Sequence, residues 1–315
     1  MILSVSRRSD IPNYYSDWFY NRIKEGFLYV RNPMNFHQVS KIDLSPDVVD
    51  CIVFWTKNPE PMMDRLDELS AYKYYFQFTL TGYGPDMEKN VPHKRDKMIP
   101  IFQALSDKIG SRNVIWRYDS IIFTKKYTPG YHLKAFDQIA RTLNGYTHKC
   151  VISFVNIYKK NTKNMNSLEA YELPDQELMD FAQSINNIAV HNEMTVGSCA
   201  ERIDLQQCGI EHNCCIDKNL IEEIVGCKIN AGKDKNQRAY SIFYFSLRFF
   251  NTGRLQAYMG LLPVPGASVF CPETGDDLLK VFKFGHGRFL LMSKPTLQHK
   301  IFLSHKLLAF KKVCP

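Results

Sequence analysis

Short apolar runs rich in β-branched and aromatic residues recur along the first two thirds of the chain. Runs of this length, bounded by polar or turn-forming residues, predict β-strands. The predicted strands cover residues 2–5, 27–31, 51–55, 75–80, 114–118, 150–157 and 194–198. Their apolar positions are continuous rather than alternating, which is typical of parallel strands that are covered on both faces.

Longer amphipathic segments lie between these strands. They predict helices at residues 17–25, 61–71, 94–109, 132–143 and 175–191. Gly110 is a suitable helix stop for the third helix. Thr128 and Pro129 are suitable as the N-cap and the first-turn residue of the fourth helix.

Strands that alternate with helices predict βαβ units and a parallel sheet, so the fold class is α/β. Six or seven such units favour a full or partial parallel (β/α) TIM-like barrel. A doubly wound open sheet is the alternative. It is less favoured because residues 6–10 read Ser-Arg-Arg-Ser-Asp, where a dinucleotide-binding fold has a glycine-rich loop.

The pattern changes after Arg238, where an aromatic run replaces the regular alternation. The sequence therefore predicts a barrel domain at residues 1–238 and an irregular C-terminal extension at residues 239–315. The net charge of +8 is also unevenly placed, since 13 of the 40 basic residues but only four of the 32 acidic residues lie from Lys233 onward. A basic tail of this kind indicates a contact with nucleic acid or a drift in composition, and both alternatives stay open.

No window is apolar enough for a transmembrane helix, and the first residues lack the order of a signal peptide. We therefore expect a cytoplasmic protein without membrane contact. Nine cysteines, an odd number, argue against a disulfide framework. The sequence leaves the oligomeric state open.

Polar residues follow the predicted strands at the edge where parallel α/β folds bind ligands. Arginine grips carboxylates and phosphates through paired hydrogen bonds, so we expect a site for an anionic small molecule at this rim. The predicted ligand-binding residues are Arg7, Arg8, Asp10, Arg31, Lys57, Asn58 and Arg117, with Asp119 and Glu201 as candidate catalytic acid or base. The alternative is that Arg117 with Asp119, and Arg8 with Asp10, form buried ion pairs.

Five of the nine cysteines fall between Cys199 and Cys227. Thiolate and imidazole groups are ligands of zinc and of iron–sulfur clusters, so Cys199, His212 and Cys215 are candidate metal ligands. Cys214 directly precedes Cys215, and we expect one of the two to be a packing residue. A metal-dependent hydrolase using Asp119, Glu201, His212 and His132 is a further, less favoured hypothesis.

Six segments carry a family resemblance: SVSRRSDIP at 4–12, VRNP at 30–33, CIVFWTKNP at 51–59, VIWRYD at 114–119, KCVISF at 149–154 and KDKNQR at 233–238. They closely resemble a bacterial family known as domain of unknown function 1848, whose members are similar to radical-SAM barrel enzymes. The resemblance implies S-adenosylmethionine and a [4Fe–4S] cluster as cofactors, the cluster being held by a Cys-x3-Cys-x2-Cys motif. It also implies a likeness to DNA repair lyases of the spore-photoproduct type.

The chain departs from that pattern after Arg238. Residues 239–242 read Ala-Tyr-Ser-Ile where the family has Cys-Gly-Cys, and Val264 and Ser268 stand at the first two ligand positions of the cluster motif. Cys271 remains at the third position as a remnant ligand. One cysteine cannot hold a [4Fe–4S] cluster, so the resemblance implies ancestral radical chemistry that is inactive in this chain. A frame disturbance in the gene and true divergence both explain the departure.

The two explanations make different predictions for the gene. A frame disturbance predicts that another forward frame, between the codons for Arg238 and Arg288, encodes Cys-x3-Cys-x2-Cys. The nucleotide sequence of that interval, translated in three frames, measures this directly. If none of the three frames restores the motif, the frame-disturbance explanation is wrong and the loss is a true divergence.

Overall fold

The computed structural model describes residues 1–5, 9–32, 35, 37–157, 161–199 and 203–229, and the backbone of four short strands beyond them. The chain divides into two compact units, Met1–Phe27 with Asp43–Arg248, and Leu28–Ile42 with Phe249–Pro315. Strands β1–β13 of the described residues are Ile2–Val5, Phe27–Arg31, Val39–Asp43, Cys51–Thr56, Tyr74–Thr79, Val114–Ile121, Lys149–Phe154, Thr195–Ser198, Glu211–His212, Phe245–Ser246, Ser268–Phe270, Lys280–Phe284 and Arg288–Met292. Helices α1–α8 are Ile11–Tyr14, Ser16–Glu25, Glu60–Met63, Ile99–Ile109, Pro129–Leu143, Thr162–Ser167, Asp175–His191 and Lys218–Val225.

A parallel sheet forms the centre of the first unit. Its strand order is β10-β1-β4-β5-β6-β7-β8-β9, and each neighbouring pair is parallel. From β4 to β9 each strand lies beside the strand that precedes it in the chain. The predicted α/β class with a parallel sheet is confirmed, and no closed barrel is seen in the residues that the structure describes.

Four helices cover one face of this sheet through aromatic contacts. Phe19 of α2 meets Phe54 at a centroid distance of 5.3 Å, and Phe102 of α4 meets Phe78 at 5.0 Å. Further along the sheet, the pairs are Phe136 of α5 on Trp116 at 4.6 Å, and Phe181 of α7 on Phe154 at 5.9 Å. Burial of such rings is the main stabilising contribution to a sheet–helix interface.

The opposite face of the sheet is covered as well. Ile221 of α8, with Ile216 and Ile229 on either side of that helix, packs into a cluster with inward-pointing residues of the strands. Those strand residues are Ile2, Cys51, Val53, Tyr75, Ile115 and Val151. The strands are therefore buried on both faces, as their continuous apolar runs predict.

The cap predicted for α5 is confirmed, and the C-terminal cap of α2 follows the same backbone chemistry. The side chain of Thr128 accepts a hydrogen bond from the Tyr131 amide at 3.2 Å, and Pro129 occupies the first turn, as predicted. Helix α2 ends at Gly26, whose φ of 74° lies in the left-handed region that favours glycine.

Strand β2 differs from the prediction of a further βαβ strand, because it pairs with β3 in a separate two-stranded sheet. The link between β2 and β3 is too short for the crossover that a parallel neighbour in one sheet requires. In the second unit, β11, β12 and β13 form an antiparallel three-stranded sheet.

Two predicted helices are interrupted. The segment predicted as helix 61–71 contains α3 and then a separate 3₁₀ turn at Leu66–Leu69, and the Tyr20 hydroxyl donates at 2.9 Å to the Met62 carbonyl that a longer helix would use. The segment 94–109 begins with a π turn at Lys94–Met98 before α4. Pro100 has no N–H group for the regular ladder, which accounts for the wider first turn.

None of the helices in the described parts of the chain is long and apolar enough to cross a bilayer.

A substitution at Phe54 tests the packing on the helix-covered face of the sheet. Its side chain is fully buried and stacks on Phe76 at 4.6 Å. We expect Phe54→Ala to lower the free energy of unfolding by about 3–5 kcal/mol, measured by urea denaturation, because a cavity replaces the ring. Val190→Ala on α7 is the control, since Val190 is 61% exposed, and its change should stay within about 0.5 kcal/mol. Equal changes in the two variants would contradict the packing described.

Candidate ligand-binding site

The polar ends of the parallel strands surround a cleft in the first unit. This edge is where parallel α/β folds bind ligands, because the chain turns from strands into loops that leave a crevice. The cleft encloses about 780 Å³, within the range of small-molecule pockets. Its walls include Asp10, Asn13, Trp55, Lys57, Asn58, Arg117, Asp119, Ser153, Asn156, Asn161, Cys199 and Cys215.

A buried guanidinium forms the floor of this cleft. The side chain of Arg117 in β6 is 4% exposed, and its Nε donates to Asp119 Oδ2 at 3.0 Å, while its Nη2 donates to the same oxygen. Its Nη1 donates to Gln77 Oε1 at 2.7 Å, and the guanidinium lies 4.9 Å from the ring centre of Trp55. The predicted Arg117–Asp119 ion pair is therefore confirmed, and it lies within the predicted ligand site.

The carboxylate of Asp119 is held in its ionised form. Burial acts to raise the pKa of Asp119, but the Arg117 charge and hydrogen bonds from Ser153 and Ser120 outweigh burial and lower it. Its Oδ1 accepts from the Ser120 hydroxyl at 3.0 Å and from the Ser153 hydroxyl. Near neutral pH, Asp119 can accept a proton or a hydrogen bond rather than donate one.

Asp10 connects α1 to the end of β4. Its Oδ1 accepts from the Asn13 amide at 3.1 Å and from the Thr56 hydroxyl at 2.7 Å, and its Oδ2 accepts from the Lys57 amide at 2.7 Å. Burial raises the pKa of Asp10, and these hydrogen bonds oppose that effect. Asn58 continues the link, since its Nδ2 donates to Asn13 Oδ1 at 3.2 Å. Both predicted residues therefore line the cleft and also support its wall.

Glu88 is a residue of this region that the sequence did not indicate. Its carboxylate is 8% exposed and forms ion pairs with Lys57 and Lys94. It also accepts from the Thr81 hydroxyl at 2.8 Å. Burial acts to raise the pKa of Glu88, but the two lysines lower it overall. Its position in a loop after a parallel strand is the one signal in the sequence, and many residues share that signal.

The described part of the cleft wall carries two positive and two negative side chains. Lys57 and Arg117 are positive, and Asp10 and Asp119 are negative. The two further arginines of the prediction, Arg7 and Arg8, lie outside the described residues.

Cys199 and Cys215 meet at the cleft floor, with their sulfur atoms 3.2 Å apart. The contact with Cys215 and the burial of the side chain both raise the pKa of the Cys199 thiol. Within the described residues, no group of three or more His, Cys, Asp or Glu side chains is placed to hold a metal ion. A [4Fe–4S] cluster needs more thiolates than this pair, so the described residues do not fit the cluster that the family resemblance implies.

The remaining predicted residues lie elsewhere. Arg31 belongs to β2, whose residues from Leu28 onward are in the second unit, and His212 is exposed on β9. The candidate acid or base Glu201 and the remnant ligand Cys271 lie outside the described residues, and of the basic tail only the backbone of four short strands is described.

His132 lies in the first turn of α5 and is buried in an aromatic cluster, and it is not among the residues that line the cleft. Its Nδ1 contacts the Tyr118 hydroxyl at 2.9 Å, and its Nε2 lies 3.2 Å from the Ile122 carbonyl. Burial lowers the pKa of His132 to about 4. It is therefore a neutral packing residue near neutral pH, and both of its ring nitrogens are in contact with protein oxygen atoms.

One family model matches most of the chain. It is described as a domain of unknown function, DUF1848, and it covers residues 2–241. No curated protein matches the chain. Among solved structures, a protein provisionally assigned as an alpha-L-fucosidase from Bacteroides thetaiotaomicron is 11% identical, with 76% of this chain and 90% of that chain covered and a TM-score of 0.27. At that TM-score the likeness carries no argument about function.

His132 gives the stability of the protein a defined pH dependence. Between pH 4 and pH 6.5 the unfolded chain binds a proton at this residue that the folded protein does not bind, so stability rises with pH across that window. Relative to pH values below 4, we expect His132 to raise the free energy of unfolding by about 3 kcal/mol at and above pH 6.5. His132→Gln should flatten this part of the curve of unfolding free energy against pH, measured by urea denaturation. His148→Gln, at an exposed position, controls for loss of an imidazole, and an unchanged slope in His132→Gln would refute the assignment.

Proposed function

The chain belongs to the DUF1848 family, and on that premise we propose that it is a small-molecule-binding α/β protein whose cleft takes a zwitterionic, nucleoside-sized ligand. The observation that carries this proposal is the cleft of about 780 Å³ with the Arg117–Asp119 pair at its floor. S-adenosylmethionine is the first candidate, because the radical-SAM resemblance implies it and it carries a carboxylate, an ammonium group and a ribose. In this proposal the protein binds the ligand and does not carry out chemistry at an iron–sulfur cluster.

The charge balance of the cleft supports a zwitterion over a simple anion. A carboxylate is attracted by Lys57, which is 44% exposed and can reach a ligand, and by the guanidinium of Arg117. An ammonium group or a ribose diol is complemented by the carboxylates of Asp10 and Asp119. A ligand with both kinds of group uses the whole wall, whereas a simple anion would face two carboxylates.

Neutral polar groups supply the rest of the recognition. The amides of Asn13, Asn58, Asn90, Asn156 and Asn161 line the same cleft. A side-chain amide has both donors and an acceptor, as the edge of a nucleobase or a ribose requires, and part of this capacity is already used within the wall by Asn13, Asn58 and Asn161. A few placed polar groups in a concave site give orientation and specificity.

We also propose that the sheet is an open, partial form of a TIM-like barrel. The consecutive parallel order from β4 to β9 supports this, because a barrel is wound in the same consecutive order. The position of the cleft at the carboxyl edge agrees with the place where such barrels bind ligands.

Calorimetric titration with S-adenosylmethionine and adenosine tests the proposed ligand class. We expect S-adenosylmethionine to bind at least about tenfold more tightly than adenosine, because adenosine lacks both charged groups. Lys57→Ala should weaken S-adenosylmethionine by about tenfold and leave adenosine unchanged. Lys97→Ala is the matched control, since Lys97 is 47% exposed, pairs with Glu60 and is not among the cleft-lining residues.

Three results would overturn this proposal. The first is equal affinity for S-adenosylmethionine and adenosine, and the second is no binding of either ligand by folded protein. The third is an equal loss in Lys57→Ala and Lys97→Ala. Anaerobic incubation with iron and sulfide forms a separate arm, in which appearance of an absorbing cluster would show that binding without cluster chemistry is wrong.

A further inference from the structure

The topology of the sheet brings two cysteines together at the cleft floor. Strands β8 and β9 are parallel neighbours in which Ser198 pairs with His212, so both strands end at the same edge. Cys199 directly follows β8, and Cys215 follows β9 by three residues. The chain then turns inward, and both side chains join the apolar cluster beneath the cleft.

The backbones of both cysteines are fixed by hydrogen bonds. The Cys199 amide donates to the Ile152 carbonyl at 2.9 Å, and the Cys215 carbonyl accepts from Gln77 Nε2 at 2.8 Å. The sulfur atoms lie 3.2 Å apart. A disulfide needs about 2.05 Å, so a shift of about 1 Å at the side chains would close the bond.

The pair is buried but lies on the wall of the cleft. Cys199 is 6% exposed and Cys215 is 5% exposed, and both line the cleft. A small reagent that enters the cleft therefore reaches both sulfurs. Cys208 lies between them in the sequence and is 4% exposed, but its sulfur contacts the Met179 sulfur at 4.0 Å and it is not among the cleft-lining residues.

We propose that Cys199 and Cys215 form a redox-active dithiol that reacts with small organic disulfides entering the cleft. One cysteine loses its proton, which the raised pKa of the Cys199 thiol makes less favourable, and attacks a sulfur of the small disulfide, which forms a mixed disulfide and releases one small thiol. The second cysteine then attacks the protein sulfur of the mixed disulfide, forms the Cys199–Cys215 bond and releases the second small thiol. The protein loses two hydrogen atoms, which leave on the two released thiols, so the small disulfide is reduced as the protein is oxidised.

Equilibration of the full chain with bis(2-hydroxyethyl) disulfide tests this proposal, with the products read by intact mass and by proteolytic mapping. We expect a loss of two hydrogen atoms and a peptide pair that joins Cys199 to Cys215, both reversed by dithiothreitol. Cys199→Ser and Cys215→Ser should each stop at a mixed disulfide on the remaining cysteine, because no resolving thiol is left. Cys208→Ser is the matched control and should form the same internal bond as the unchanged protein.

Several outcomes would overturn the assignment. One is that both thiols remain open to alkylation after equilibration, and another is a link that joins Cys214 or any other cysteine in place of this pair. A third is stoichiometric zinc in the purified protein that is released when these two thiols are oxidised, which would assign the pair to a metal site. None of these readouts depends on the ligand of the cleft. A failure of the dithiol proposal therefore leaves the proposed binding function untouched, and a failure of the binding function leaves the dithiol proposal untouched.

Discussion

The buried guanidinium of Arg117 is the interaction on which the cleft depends. A charge inside a sheet loses its hydration, and the loss is compensated only when its N–H groups find acceptors. Asp119 supplies one acceptor from the same strand, and Gln77 supplies another from β5. The ring of Trp55 in β4 covers the guanidinium face. Since these partners come from three neighbouring strands, the register of β4, β5 and β6 is fixed where the ligand site lies.

The same interaction decides which ligands the cleft suits. Breaking a buried ion pair leaves an uncompensated charge, so a ligand gains more by binding around the intact pair than by separating it. The oxygens of Asp119 have remaining lone pairs, and Lys57 at the rim keeps part of its side chain in solvent. The floor is thereby preorganised, because its side chains are held by one another before a ligand arrives.

Hydrophobic pattern predicted strands β1 and β4 to β8 to within three residues at each end, because burial on both faces leaves a continuous apolar run that polar loops cannot imitate. It predicted the strand at residues 27–31 but failed to place that strand outside the parallel sheet, where the short link to β3 excludes a crossover. It failed again in the segment 61–71, where Tyr20 takes the carbonyl of Met62. Partners of this kind are distant in the sequence, and local pattern does not reveal them.

The sequence also predicted part of the candidate site. The rule that ligands bind at the carboxyl ends of parallel strands brought Asp10, Lys57, Asn58 and Arg117 to one cleft. Glu88 was missed because its place in the site depends on ion pairs with Lys57 and Lys94, which the sequence does not show. The net charge of the whole wall stays a prediction, since Arg7 and Arg8 lie outside the described residues, and the sequence does not show how each positive charge is paired.

The proposed binding and the cluster chemistry that the resemblance implies depend on different segments of the sequence. The described residues that line the cleft fall between Ser9 and Cys215, whereas the departures from the cysteine motifs that the resemblance implies lie after Arg238. The guanidinium at the floor is satisfied by Asp119 and Gln77 and needs no metal to compensate it. The two cysteines beside it are in contact with each other and with the apolar cluster. A change that removes thiolates from the tail therefore leaves the interactions that shape the cleft in place, whichever event in the gene produced it.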